Sequence, residues 1–223
     1  MNFAGHALVA QWLFAEDLDR HSIGFAAMIP DFARMANARP IVPDHRAGAP
    51  TAVRRGVDLH HQSDAVFHPL PDVVALMREL GARLTALGVR RGPMLATSHI
   101  GIEIMLDDAW LRDEPAREFY LACLRADAPL AFSDRADELA WQRLLERLRA
   151  IGSAPEHASA AVVTERVGRT LHNRPKLSAD ARDLVLIERG LASMAFAVNS
   201  ASARIRSTLL EGLRAAGATD RGI

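Results

Sequence analysis

Cysteine and lysine are almost absent from this chain of 223 residues: Cys123 and Lys176 are the single examples. One thiol excludes an intramolecular disulfide framework and a zinc site built from several thiolates. Net charge is also missing, because 27 basic side chains balance 27 acidic ones. A general nucleic-acid binder needs a basic excess to follow phosphates, so that class is disfavoured. The sequence has no basic n-region at its start and turns acidic at Glu16 and Asp17. It does not read as a signal peptide. No stretch reaches 18 uninterrupted apolar residues, so no membrane span is expected and a cytoplasmic location is the default. The phosphate-cradling GxGxxG and GxxxxGK[ST] loops, the GxSxG elbow and the HExxH helix are all missing. What remains is ordinary globular composition, with 49% hydrophobic and 24% charged residues. The excess of arginine over lysine is most simply a codon bias. The histidines stand out: there are nine, and His6, His21, His45, His60, His61 and His68 all fall in the first third of the chain.

The hydrophobic periodicity is helical throughout. Short helices are expected at the N-terminus and over Ile23 to Ala36, where Pro30 should begin or kink a turn and Asp31 reads as an N-cap. Pro40, Pro43, Gly48 and Pro50 mark a loop. Thr51 caps a helix to about Phe67, which Pro69 and Pro71 stop. Amphipathic Asp72 to Leu87 ends at Gly88. An apolar helix from Met94 to Leu111 is expected to be central. Further helices follow over Pro115 to Arg125, Ser133 to Ile151 and Glu156 to Leu171. A last one, capped by Ser178, runs to Ala216. No period-2 run and no Asn-Gly or Asp-Gly turn appears. The expected fold is all-α: one domain, a bundle of roughly eight to ten helices.

Two stripes of ionisable residues carry the chemistry. His60 and Asp64 lie one turn apart on one helix face, with His61 about 100° round and His68 a further turn along. Such a pair can grip a metal ion, position a water, or form a plain ion pair on a solvated face. His99, Glu103 and Asp107 make a second stripe in an otherwise apolar helix, with Asp108 pointing to another side. Burying three such groups is costly unless they pair or hold a cation. His6 sits in an apolar helix, where a hydrogen-bonded core histidine is the simpler reading. Cys123 reads as a small core residue. Histidines and carboxylates on separate helices are how metal-dependent phosphohydrolases of the HD type are built. Such ligands suit Mn²⁺, Mg²⁺ or Fe.

The order of the motifs adds to this. Met1-Asn2-Phe3-Ala4-Gly5-His6 is followed by Gly24-Phe25 through Ile29-Pro30-Asp31-Phe32. Then come Gly56-Val57-Asp58-Leu59-His60, Asp64, His68-Pro69, and Glu103 through Asp107-Asp108. Arg174-Pro175-Lys176-Leu177 comes last. This string resembles the bacterial acyl-carrier-protein phosphodiesterase family. The resemblance implies an all-α, HD-like fold and a divalent metal, usually manganese. It also implies hydrolytic removal of 4′-phosphopantetheine from holo-acyl carrier protein, which would be the partner. His6, Asp31, His60, Asp64 and Asp107 fall on the family's motif positions and form the expected metal set. Asp108 stands where the family has histidine, Glu103 where it has aspartate, and His61 where it has arginine.

In the expected mechanism His61, His68 or His99 protonates the leaving oxygen. Arg54 or Arg55 holds the phosphate charge, and Glu103 and Asp108 lie within the reacting region. Alternatives are an HD-like phosphohydrolase of a nucleotide or other small phosphodiester, a non-catalytic helical relative, and a helical assembly protein.

Overall fold

The computed structural model describes residues 1–42, 51–126, 128, 130–151, 159–172 and 174–218. Among them the chain forms nine α-helices and one pair of two-residue strands, in keeping with the all-α expectation. In chain order these are α1 (Phe3–Leu13), α2 (Arg20–Ala36), β1 (Pro40–Ile41), α3 (Ala52–Phe67), α4 (Pro71–Leu87) and α5 (Arg91–Leu111). They are followed by α6 (Glu114–Arg125), β2 (Ala131–Phe132), α7 (Arg135–Ile151), α8 (Ala160–Leu171) and α9 (Ala181–Ala215). Pro43, His45, Gly48, Pro50, Glu156 and His157 lie outside the described residues. The described residues divide into two compact units, neither continuous in sequence.

The first unit takes residues from Met1–Phe67, Asp113–Pro155 and Leu209–Ile223. Helix α2 is its hub and packs on α1, α3, α6 and α7. Its buried face carries Ile23, Phe25, Met28, Ile29 and Phe32. Phe32 gathers an aromatic cluster, with ring centroids 5.5 Å from Phe3, 6.3 Å from Phe25 and 6.2 Å from Trp141. Such tilted and edge-on pairs add to the burial of large apolar surface. The strands pair antiparallel, Pro40 opposite Phe132 and Ile41 opposite Ala131. At α3, the Arg54 amide donates to the Thr51 hydroxyl at 3.2 Å, so Thr51 caps that helix as its sequence position suggests.

Two expectations about α2 and α3 fail. Pro30 starts no helix and Asp31 is no N-cap; both lie inside α2, which begins at Arg20. The apolar face formed from Ile23 onward carries the helix through the proline. Only the one N–H that would have met the Ala26 carbonyl is lost. His68 does not extend the His60/Asp64 stripe, because α3 ends at Phe67. A residue that precedes proline is driven from helical geometry by the proline ring.

The second unit takes residues from His68–Arg112 and Glu156–Thr208. Helix α5 packs on α4 and α8. Pro71 opens α4 at a position where its missing N–H costs nothing. Gly88, at φ 88°, closes it, its amide donating to the Thr85 carbonyl. Helix α8 starts at Ala160, capped by Ser159, later than the expected Glu156. The cap of α9 is Asp180 rather than Ser178. The Asp183 amide donates to the Asp180 carboxylate at 2.8 Å, and the Asp180 amide returns to Asp183 at 3.4 Å. This is a reciprocal capping box. The Ser178 hydroxyl donates instead to the Pro175 carbonyl. By length and composition α9 is apolar enough to cross a membrane. Within this unit its buried apolar side chains, Ile187, Leu191, Met194, Val198, Ala201 and Ile205, fall on one stripe.

Candidate metal centre

The first unit brings four of the expected ligands together. His6 and His60 stack with ring centroids 3.9 Å apart, and both are buried. One ligand atom from each of His6, Asp31 and His60 lies within 4.8 Å of the other two. Asp64 borders the same place: its Oδ1 is 3.4 Å from His6 Nε2 and its Oδ2 is 3.8 Å from His60 Nε2. Oδ1 also accepts from the Met1 ammonium at 2.8 Å. Three helices supply these groups: α1 (His6), α2 (Asp31), and α3 (His60 and Asp64, one turn apart).

The hydrogen bonds behind the imidazoles fix how they face. His60 Nδ1 lies 3.0 Å from the Ala27 carbonyl, which can only accept, so Nδ1 carries the proton and Nε2 keeps its lone pair. The Ser63 hydroxyl donates to the His60 carbonyl at 2.9 Å. The same hydroxyl lies 2.8 Å from His6 Nδ1. His6 Nε2 lies 3.0 Å from the Met1 carbonyl, which can only accept, and 3.4 Å from Asp64 Oδ1, so this nitrogen carries a proton that a metal ion would have to displace. The Met1 ammonium, 2.8 Å from Asp64 Oδ1, supplies positive charge beside these groups. His60 has the arrangement of a ligand-bearing histidine, with its outer ring nitrogen tied to a carbonyl and the inner one free to coordinate. Burial, and then the neighbouring His6, hold the His60 pKa down at about 3. His60 is thus neutral near pH 7, as a ligand must be.

Sequence reasoning did not find Ser63 or the Ala27 carbonyl. Ser63 precedes Asp64 on α3, but nothing local announces that it reaches α1. The Ala27 carbonyl is a backbone group and has no residue signature. Its position follows from the close α2–α3 seam. A Cβ added to Gly56 would strike the Ala26 side chain, the Ile23 carbonyl and the Ala27 amide.

The other expected residues are placed as follows. His61 is exposed on α3, its ring 5.3 Å from that of His60. Arg54 pairs with Asp58 at 3.1 Å. Arg55 pairs with Asp17 at 2.6 Å and lies over the Phe14 ring. Both guanidinium groups are therefore engaged by neighbours in the chain. Cys123 is buried, and that burial pushes its thiol up to about 12, the behaviour of an inert core residue.

His68, His99, Glu103, Asp107 and Asp108 belong to the second unit. Asp107 is buried on α5. Asp108 pairs with Arg112 at 3.2 Å. Glu103 is buried, and its Oε1 lies 3.1 Å from His99 Nε2 and 3.8 Å from His68 Nδ1. Burial opposes ionisation of Glu103, but the hydrogen bond from His99 works against it and the carboxyl sits below its ordinary value.

No family model, no curated protein and no solved structure matches the chain.

Proposed function

We propose that the chain is a divalent-metal-dependent phosphodiester hydrolase, with the metal held by His6, Asp31, His60 and Asp64. One observation carries this reading. Donor atoms of His6, Asp31 and His60 lie within 4.8 Å of one another with the Asp64 carboxylate alongside, and His60 turns its unprotonated Nε2 toward that carboxylate. Two imidazoles with two carboxylates is a mixed donor set that suits Mn²⁺, with Mg²⁺ or Fe as alternatives. Bound there, a divalent ion would lower the pKa of water and polarise a phosphoryl oxygen.

The chain's own residues do the rest. Burial keeps His60 neutral, so its inner lone pair is available at neutral pH. The Ala27 carbonyl fixes the tautomer of His60, and the Ser63 hydroxyl and the Met1 carbonyl orient the His6 ring. Asp31 and the one-third-exposed Asp64 supply the negative charge. His61, exposed beside His60, would protonate a leaving oxygen. The order of the motifs, from the opening histidine to the late Arg-Pro-Lys-Leu, supports 4′-phosphopantetheine on holo-acyl carrier protein as the substrate.

The test is mass spectrometry of holo-acyl carrier protein incubated with metal-depleted enzyme, with and without Mn²⁺. The expected result is Mn²⁺-dependent loss of the phosphopantetheine mass, abolished in Asp64→Ala. Turnover of small phosphodiesters alone would redirect the substrate assignment. Unchanged activity in Asp64→Ala would overturn the site.

A further inference from the structure

The second unit holds a further set of donors that the proposed hydrolase centre does not use. We propose that His68, His99 and Glu103 form a second, solvent-open site for a divalent transition-metal ion of the zinc type. One ligand atom from each of the three lies within 4.8 Å of the others. The two imidazoles converge on a single oxygen, Glu103 Oε1, from 3.1 Å (His99 Nε2) and 3.8 Å (His68 Nδ1). Donors that share one tetrahedral ion with bonds of about 2.1 Å stand about 3.4 Å apart, between these two values.

A plain i,i+4 ion pair accounts for His99 and Glu103 alone. It does not account for His68, which comes from outside α5. The His68 ring stacks on that of His99 at 5.0 Å and within 23° of parallel, and its Nδ1 turns to the same oxygen. The burial is graded as an entry route requires. The Glu103 side chain is 9% exposed, that of His68 34% and that of His99 50%. The carboxylate is therefore at the base and the imidazoles are at the rim. Two imidazoles and one carboxylate form the donor set of open zinc sites, in which the fourth position takes water or an exogenous ligand. Imidazole favours Zn²⁺, Ni²⁺ or Cu²⁺ over Mg²⁺ or Ca²⁺.

The experiment is a Zn²⁺ titration of the metal-depleted full chain by calorimetry, with far-ultraviolet circular dichroism as the control for folding. The wild type should show an equivalent of Zn²⁺ that weakens at least tenfold in His68→Ala and in His99→Ala. Glu103→Gln, which keeps the side-chain shape, should weaken it too. His60→Ala should retain that equivalent, which separates this site from the proposed catalytic centre. Identical isotherms for wild type, His68→Ala and His99→Ala would overturn the proposal. So would an equivalent that disappears in His60→Ala.

Discussion

Acid should destabilise the metal-depleted protein through His60, and the size of the effect follows from its surroundings. In the folded chain its pKa is about 3, against an ordinary value of 6.5. As pH falls through 6.5 the unfolded chain protonates this imidazole while the folded chain does not. The unfolded state then holds more protons until the pH reaches about 3, so stability falls with pH across that window. A fall of about 3.5 in pKa, at about 1.4 kcal/mol for each, is worth about 5 kcal/mol in full, of which about 3 kcal/mol is lost by pH 4. His60→Asn isolates this contribution. Its amide nitrogen stands at the position of Nδ1 and can donate to the Ala27 carbonyl, but it does not titrate. Urea unfolding of both proteins at pH 7 and pH 4, in chelator, cancels the other titrating groups. The wild type should lose about 3 kcal/mol more than the variant between the two conditions. Equal losses would mean that His60 is not held neutral by burial, and the tautomer argument for the centre would fail with it.

Three further substitutions probe separate parts of the structure. Gly56→Ala forces a methyl group into the α2–α3 seam against Ala26 and the α2 backbone. It should cost about 1–3 kcal/mol or more in urea unfolding and weaken Mn²⁺ binding, because His60 lies one turn along. Ser63→Ala removes the hydroxyl behind His6 and should lower Mn²⁺ affinity about 10–100-fold with the helical content intact. Unchanged affinity would remove Ser63 from the site. Asp180→Ala should cost about 1 kcal/mol through loss of the α9 cap. Ser178→Ala should cost less, and the reverse order would restore Ser178 as the cap.

Much of the fold is legible in the sequence because helices announce themselves locally. Gly88 ends α4 and Pro115 lies at the start of α6, as their intrinsic geometries require. Thr51 caps α3 for the same reason. The failures arise where distant packing outweighs a local rule. Pro30 ought to interrupt a helix, but the apolar face of α2 meets four neighbouring helices and the helix continues through it. The strand pair of Pro40–Ile41 with Ala131–Phe132 is too short to show alternation. In the candidate centre, His60 and Asp64 were legible from their spacing on one helix. His6 and Asp31 came forward only through the order of the motifs, because each alone has a plainer reading. Ser63 and the Ala27 carbonyl could not be read at all. Their roles arise from α1 and α2 packing on α3, and no local pattern encodes that.

An anomalous difference map from crystals of the full chain equilibrated with Mn²⁺ tests the central claim most directly. The account predicts a peak bounded by His6, Asp31, His60 and Asp64, absent from crystals of His60→Ala. A map without a peak at that position, from protein whose helices are intact, would contradict it.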